Sequence, residues 1–174
     1  MATYSLIQAY TVTTPVSYVG FTSIPQTFTD LKVVMSARSS QSSTRENILL
    51  GINSYNSNSG FSWVGLYNYG GTSMGSNKSP AASRILGDVP GNTNGANIFS
   101  NAEIYIPNYS VTGTHIVSGD AVVENNGGDQ FLGFHVVAFT GAAVAVTTLN
   151  IHCGATPYNF MAGSKFYLYG IKNS

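Results

Sequence analysis

Apolar residues recur at every second position along most of the chain. Residues 31–37 put Leu31, Val33, Met35 and Ala37 on one side of the backbone. Residues 48–52 repeat the pattern with Ile48, Leu50 and Ile52, and residues 61–69 with Phe61, Trp63, Tyr67 and Tyr69 around Gly65. At 103–106, Ile104 and Ile106 alternate with Glu103 and Tyr105 before Pro107 ends the run. Stretches at 3–12, 115–123, 131–139, 144–151 and 164–171 are similarly rich in Val, Ile, Phe and Tyr. A period of two built from β-branched and aromatic residues predicts half-buried strands. No stretch repeats every 3.6 residues. Residues 140–144 would suit a short helical turn or, equally, a bend in a strand.

Polar clusters separate these runs at 39–44, 53–60, 70–80 and 90–95. The sequence from Glu124 to Asp129, with Asn126 before Gly127, suits a hairpin connection, because Asn-Gly supplies the positive φ angles of tight turns. Nine or ten strands with frequent turns predict an all-β fold, an antiparallel β-sandwich or a barrel, rather than βαβ units. A length of 174 residues suggests one domain spanning 1–174. Two runs, 135–139 and 166–169, are apolar on both sides. Such strands either lie centrally under loops or turn one face to another chain; alternatively their tyrosine tips simply reach solvent.

Composition narrows the choice of partner. Only 8% of residues are charged, and seven basic residues balance seven acidic ones. An average domain carries roughly 25% charged residues. Polarity comes instead from 21 Ser, 16 Thr and 16 Asn. No basic patch invites nucleic acid, and little net charge opposes side-by-side packing. The single Cys153 makes no internal disulfide, and no basic segment followed by an apolar run follows Met1, so manufacture in a cytoplasm without a secretory leader is expected. No apolar run approaches the ~18 residues of a membrane-spanning helix.

Candidate chemistry is sparse. His115, His135 and His152 fall on three predicted strands at spacings that match no metal motif, and Cys153 would point away from His152. Asp120 and Glu124 share a strand face about 13 Å apart, too far to flank one glycosidic bond without bending inward. Glu124 and Asp129 flank the predicted hairpin and would need further oxygen ligands to hold calcium. No Gly-x-Ser-x-Gly elbow and no phosphate-binding glycine loop occurs. Asn77 and Asn108 head sequons that matter only in a secretory setting. The expectation is a non-enzyme with no cofactor and no metal.

Four phrases carry a resemblance: FTSIPQTFTDLKVVMSARSS (21–40), FSNAEIYIPNYS (99–110), VVENN (122–126) and FYLYGI (166–171). In this order they resemble small virion structural proteins of tailed bacteriophages of aquatic bacteria. The resemblance runs from about Tyr4 to Ile171 but lapses over 70–97, a Gly/Ser/Asn-rich segment that departs from the pattern. It implies a jelly-roll sandwich and a building role in the particle. The leading expectation is a capsid decoration (cement) protein, assembled in the host cytoplasm, acting as a homotrimer that clamps the major capsid protein. The alternative is a tail-fibre or receptor-binding module, possibly for glycans. An aromatic row of Trp63, Tyr67 and Tyr69 is the expected protein contact surface. The strand at 3–12 and the last strand are expected to pair within the sheet or to exchange between subunits.

Overall fold

The computed structural model describes residues 1–80, 84–124, 130–154 and 158–173. Among them twelve strands form and no helix. They are β1 (Thr3–Thr11), β2 (Tyr18–Phe21), β3 (Asp30–Ala37), β4 (Arg45–Ile52), β5 (Phe61–Tyr69) and β6 (Gly75–Ser79). The second half supplies β7 (Ile85–Pro90), β8 (Ser100–Ile106), β9 (His115–Glu124), β10 (Gln130–Phe139), β11 (Leu149–Cys153) and β12 (Lys165–Lys172).

An eight-stranded sheet runs β1-β12-β3-β8-β9-β10-β5-β6, and a four-stranded sheet runs β2-β11-β4-β7. Without the hairpins β5-β6 and β9-β10, the chain passes from one sheet to the other at every step except from β4 to its neighbour β7. The remaining halves, β1-β12-β3-β8 and β2-β11-β4-β7, pair antiparallel in the connectivity of a jelly roll. The two hairpins widen one sheet. The first strand pairs with the last inside the same chain, Thr3 opposite Lys172 and Thr11 opposite Lys165.

The core lies between the sheets. Leu31, Val33 and Met35 of β3, Ile104 and Ile106 of β8 and Leu168 of β12 face Phe21, Ile48, Leu50, Leu149 and Ile151 of the smaller sheet, all buried. Phe160 and Phe166 meet edge to face at 4.8 Å. The smaller sheet ends at β7, which presses hard on β9. A Cβ on Gly119 would lie 2.4 Å from the Leu86 carbonyl oxygen, and one on Gly87 would lie 2.8 Å from the Ala121 Cβ. Glycine at both positions lets the two sheets approach this closely.

Polar anchors close the ends. The buried Arg38 guanidinium donates to the carbonyls of Asn92 and Asn94 at 3.3 and 3.1 Å, holding the 91–97 loop. Tyr109 is buried with its hydroxyl on the Pro25 carbonyl. The Gly/Ser/Asn-rich segment 70–97 contains β6 and β7, neither of which stood out as alternation. Residues 140–148 form neither helix nor strand. They run as an irregular crossing pinned by the Val146 N–H to the Tyr109 carbonyl at 2.8 Å, so β11 begins only at Leu149. The ladder of β9 with β10 ends at Glu124 opposite Gln130, as a hairpin requires, whereas the expected turn residues 125–129 lie outside the described residues.

Candidate functional site

Alternation along β5, β9 and β10 sends one set of side chains into the sandwich and the other to the outer face of the large sheet. The inner set is buried: His115, Val117, Ala121 and Val123 on β9, and Phe131, His135, Val137 and Phe139 on β10. The outer set is apolar as well. Val64 and Leu66 of β5, Phe134 and Val136 of β10, and Ile116 and Val122 of β9 are between 39% and 53% exposed. Register makes them neighbours. Val64 lies opposite Val136 and Leu66 opposite Phe134. Val136 in turn lies opposite Ser118, and Phe134 opposite Asp120. Between these strands the face dips into a shallow hollow of about 460 Å³ walled by Val64, Leu66, Phe134 and Val136, with Asp120 at its margin. Strand β10 thus resolves the two-sided pattern of the sequence: it is central in its sheet, yet its outer face is bare.

A short charged row borders this face. Glu103 lies opposite Asp120 on the next strand, and Lys32 pairs with Glu103 at 2.6 Å. The hydrogen bond to Glu103 raises the Lys32 pKa. The Asp120 carboxyl is also held above its usual range, first because burial strips its water and then because Glu103 repels it, with Lys32 partly offsetting both. Glu124, too distant from Asp120 along the strand, is not its neighbour; the sheet sets Glu103 beside it. Asp129 falls outside the described residues. Farther across the same face Tyr167 and Tyr169 stand half-buried and Leu6 exposed, so the apolar patch grades into an amphipathic margin. Contiguous exposed apolar surface with a polar rim is what protein interfaces are made of.

The structure puts the expected aromatic row on the side of β5 opposite the bare face, with Trp63 and Tyr67 half-buried and Tyr69 37% exposed. Trp63, Tyr67 and Tyr69 share the Phe61 side of β5, one residue out of step with Val64 and Leu66. Trp63 packs against the core, and its indole N–H donates to His135 Nδ1 at 3.1 Å. Tyr67 stacks on Tyr69 at 4.4 Å, and the Arg45 guanidinium sits 3.6 Å above the Tyr69 ring. Arg45 also pairs with the buried Asp88 at 2.9 Å. These contacts cover the inner side of β5 where the smaller sheet no longer reaches. The exposed residues were missed because both sides of β5 and β10 are apolar, and period alone cannot say which side is inside. The one available signal was that two-sidedness itself.

The histidines have separate partners. His115 Nε2 bonds the Val144 carbonyl at 2.8 Å, His135 stacks on Trp63, and His152 stacks on Tyr18 at 5.3 Å. Burial pulls the His135 and His152 pKa values down to about 4. Burial pushes the Cys153 thiol up to about 12. Among the described residues no group of three or more His, Cys, Asp or Glu side chains is placed to hold a metal ion. The arrangement offers apolar area on a stiff sheet and, at its border, one carboxylate pair neutralised by lysine on an open surface. No family model matches the chain, and no curated protein matches it.

Proposed function

We propose that the protein is a structural component of a bacteriophage particle, a capsid decoration protein that makes and breaks no covalent bonds. It lays the outer face of β5, β10 and β9 across seams between copies of the major capsid protein. The single observation that carries this reading is the bare apolar face on a chain that is otherwise poor in charge. A stiff eight-stranded sheet holds Val64, Leu66, Phe134 and Val136 without flexible linkers, so little conformational entropy is lost on docking. Repetition over a shell multiplies a modest affinity. The four phrases shared with phage virion proteins support the same setting, and the jelly roll they imply is the connectivity described above.

The protein acts as a homotrimer in this reading, and its place is the virion, assembled in the host cytoplasm. Quantitative mass spectrometry of purified particles tests the assignment. Copy numbers comparable to the coat protein are expected. A handful of copies per particle would transfer the protein to the tail, and absence from the particle would overturn the reading altogether.

A further inference from the structure

The side of the sandwich away from the bare face carries a second constructed surface. On β2 and β11, side chains alternate between the core and the outside of the smaller sheet. Tyr18 and Gly20 of β2 and Asn150 and His152 of β11 point outward, while Val19, Phe21, Leu149 and Ile151 are buried. Register sets Gly20 opposite Asn150 and Tyr18 opposite His152. A ring platform therefore lies beside a cleared floor. The Tyr18 ring, 52% exposed, is backed by the His152 imidazole at 5.3 Å and 29°. A Cβ on Gly20 would sit 3.0 Å from Asn150 Oδ1 and 3.5 Å from the Tyr18 ring, so glycine leaves the amide oxygen and the ring edge uncovered.

The amide is preset. Asn150 Nδ2 donates to Asn56 Oδ1 at 3.0 Å, and the same oxygen bonds His152 Nε2 at 3.3 Å. Asn56 in turn needs Gly51, where a Cβ would lie 2.2 Å from its Oδ1. A second ring arrives from the large sheet. Strand β1 carries a bulge between Leu6 and Gln8, so Leu6 lies opposite the outward Tyr169 whereas Tyr10 lies opposite the core residue Phe166. The bulge swings Tyr10 toward β2, and Gln8 Nε2 ties the two strands by donating to the Thr22 carbonyl at 2.7 Å. The result is an open trough of about 660 Å³ lined by Tyr10, Tyr18, Gly20, Thr22, Asn150 and Asn159 among others.

We propose that this trough binds a neutral glycan, with Tyr18 as the stacking platform for a sugar ring and the Asn150 amide as its hydrogen-bonding partner. Three observations select that class. The lining holds apolar ring faces and neutral amide and hydroxyl groups together, matching a pyranose with its apolar C–H face and polar rim. None of the described lining residues is charged, which disfavours phosphate, sulfate or carboxylate ligands. The platform itself is uncharged, because burial and the Arg84 charge keep His152 neutral at pH 7. A proline-rich peptide also favours aromatic grooves, but it makes less use of an oriented amide on a glycine-cleared floor. This site stands on residues remote from the bare face and does not rest on the decoration reading.

Titration of the ¹⁵N-labelled protein with maltohexaose, cellohexaose and chitohexaose decides the matter, with decaproline and a heparin hexasaccharide as further arms. At least one neutral oligosaccharide is expected to shift the Tyr18, Gly20 and Asn150 amides saturably, with Kd of the order of 1 mM. Added salt should leave that affinity unchanged. Tyr18→Ala should weaken binding about tenfold or more, the loss expected when ~1.4 kcal/mol of stacking is removed. Gly20→Val, which fills the floor while suiting a strand, should abolish it, and Val111→Ser, exposed outside both surfaces, should leave it unchanged. Tyr18→Ala should melt like the parent, and Gly20→Val should keep a folded, dispersed amide spectrum. Absence of shifts with all three neutral sugars at millimolar concentration would overturn the proposal. So would undiminished binding by Tyr18→Ala, or a response at these amides to decaproline or heparin alone.

Discussion

The Tyr105 hydroxyl donates to Asp30 Oδ2 at 2.7 Å, joining β8 to the start of β3. The same carboxylate accepts the Asn108 backbone N–H at 2.9 Å on its other oxygen and the Asn173 side-chain amide at 2.9 Å. Asn108 adopts a φ of 48°, a left-handed conformation that asparagine tolerates better than most residues. Asp30 is buried, and the hydrogen bond to it is the first reason the Tyr105 phenol is raised to about 12. Asp30→Ala should therefore cost about 2–3 kcal/mol, the scale of hydrogen bonds to a charged group. Asp30→Asn keeps the shape and one acceptor and should cost about 1 kcal/mol. Urea unfolding of both variants measures this; an alanine variant as stable as the parent would remove Asp30 as the joint between these segments.

The bare face separates stability from association. Replacing Leu66 and Phe134 together by serine removes two half-exposed side chains that face each other across the strands, so unfolding should shift by only about 1 kcal/mol per site. Rebinding to particles stripped of the protein should fall by about tenfold or more for each residue, since burying such a side chain contributes roughly 1.5–3 kcal/mol. Light scattering on the parent should give three times the 18.4 kDa chain mass. A double variant that rebinds like the parent would exclude this face as the dock.

His135 should make the fold sensitive to mild acid. Its ring is buried, and Nδ1 must accept from Trp63 because an indole nitrogen only donates. The neutral ring therefore carries its proton on Nε2, a buried atom with no hydrogen-bond partner among the described residues. Protonating Nδ1 would set donor against donor. With the folded pKa near 4 and the ordinary value 6.5, the unfolded chain binds the proton more readily between these limits. Stability is then full above about pH 6.5 and falls as pH drops toward 4, by on the order of 2–3 kcal/mol for this group. His152 acts in the same direction. The raised carboxyls of Glu46, Asp88 and Asp120 act in the opposite one. The measurement is thus the difference between the parent and His135→Gln across that range. Identical pH profiles would refute the assignment.

Cys153 should be inert in the native fold. It is buried in the core, and its thiol is held far above neutral pH. Iodoacetamide at pH 8 should label it only in denaturant. Rapid labelling of native protein would show that β11 opens.

The fold was legible where a strand has one buried and one wet face. Strands β3, β4 and β8 alternate cleanly, and their core residues were readable in advance. Strand β6 was not: Gly75, Ser76, Asn77, Lys78 and Ser79 include no apolar side chain, and hydrogen bonding to β5 alone defines it. Strand β7 went unread because Gly87, Asp88 and Pro90 break any alternation of Ile85, Leu86 and Val89, yet Asp88 is buried against Arg45. The four phrases at 21–40, 99–110, 122–126 and 166–171 hold Asp30, Arg38, Tyr105, Asn108 and Tyr109, the residues that fasten the sandwich ends. Val64, Leu66, Phe134 and Val136 lie outside those phrases. Scaffold was therefore easier to recognise than contact surface. The trough was illegible because it depends on a bulge and on which glycines face an amide.

The extra residue in β1, Ile7, lets one strand serve two masters. Upstream of it the odd and even positions keep one parity; downstream they exchange it. Without the bulge Tyr10, four residues past Leu6, would fall on the side that Leu6 occupies and the trough would lose a ring; deleting Ile7 sets the two three apart and so keeps Tyr10 facing the trough.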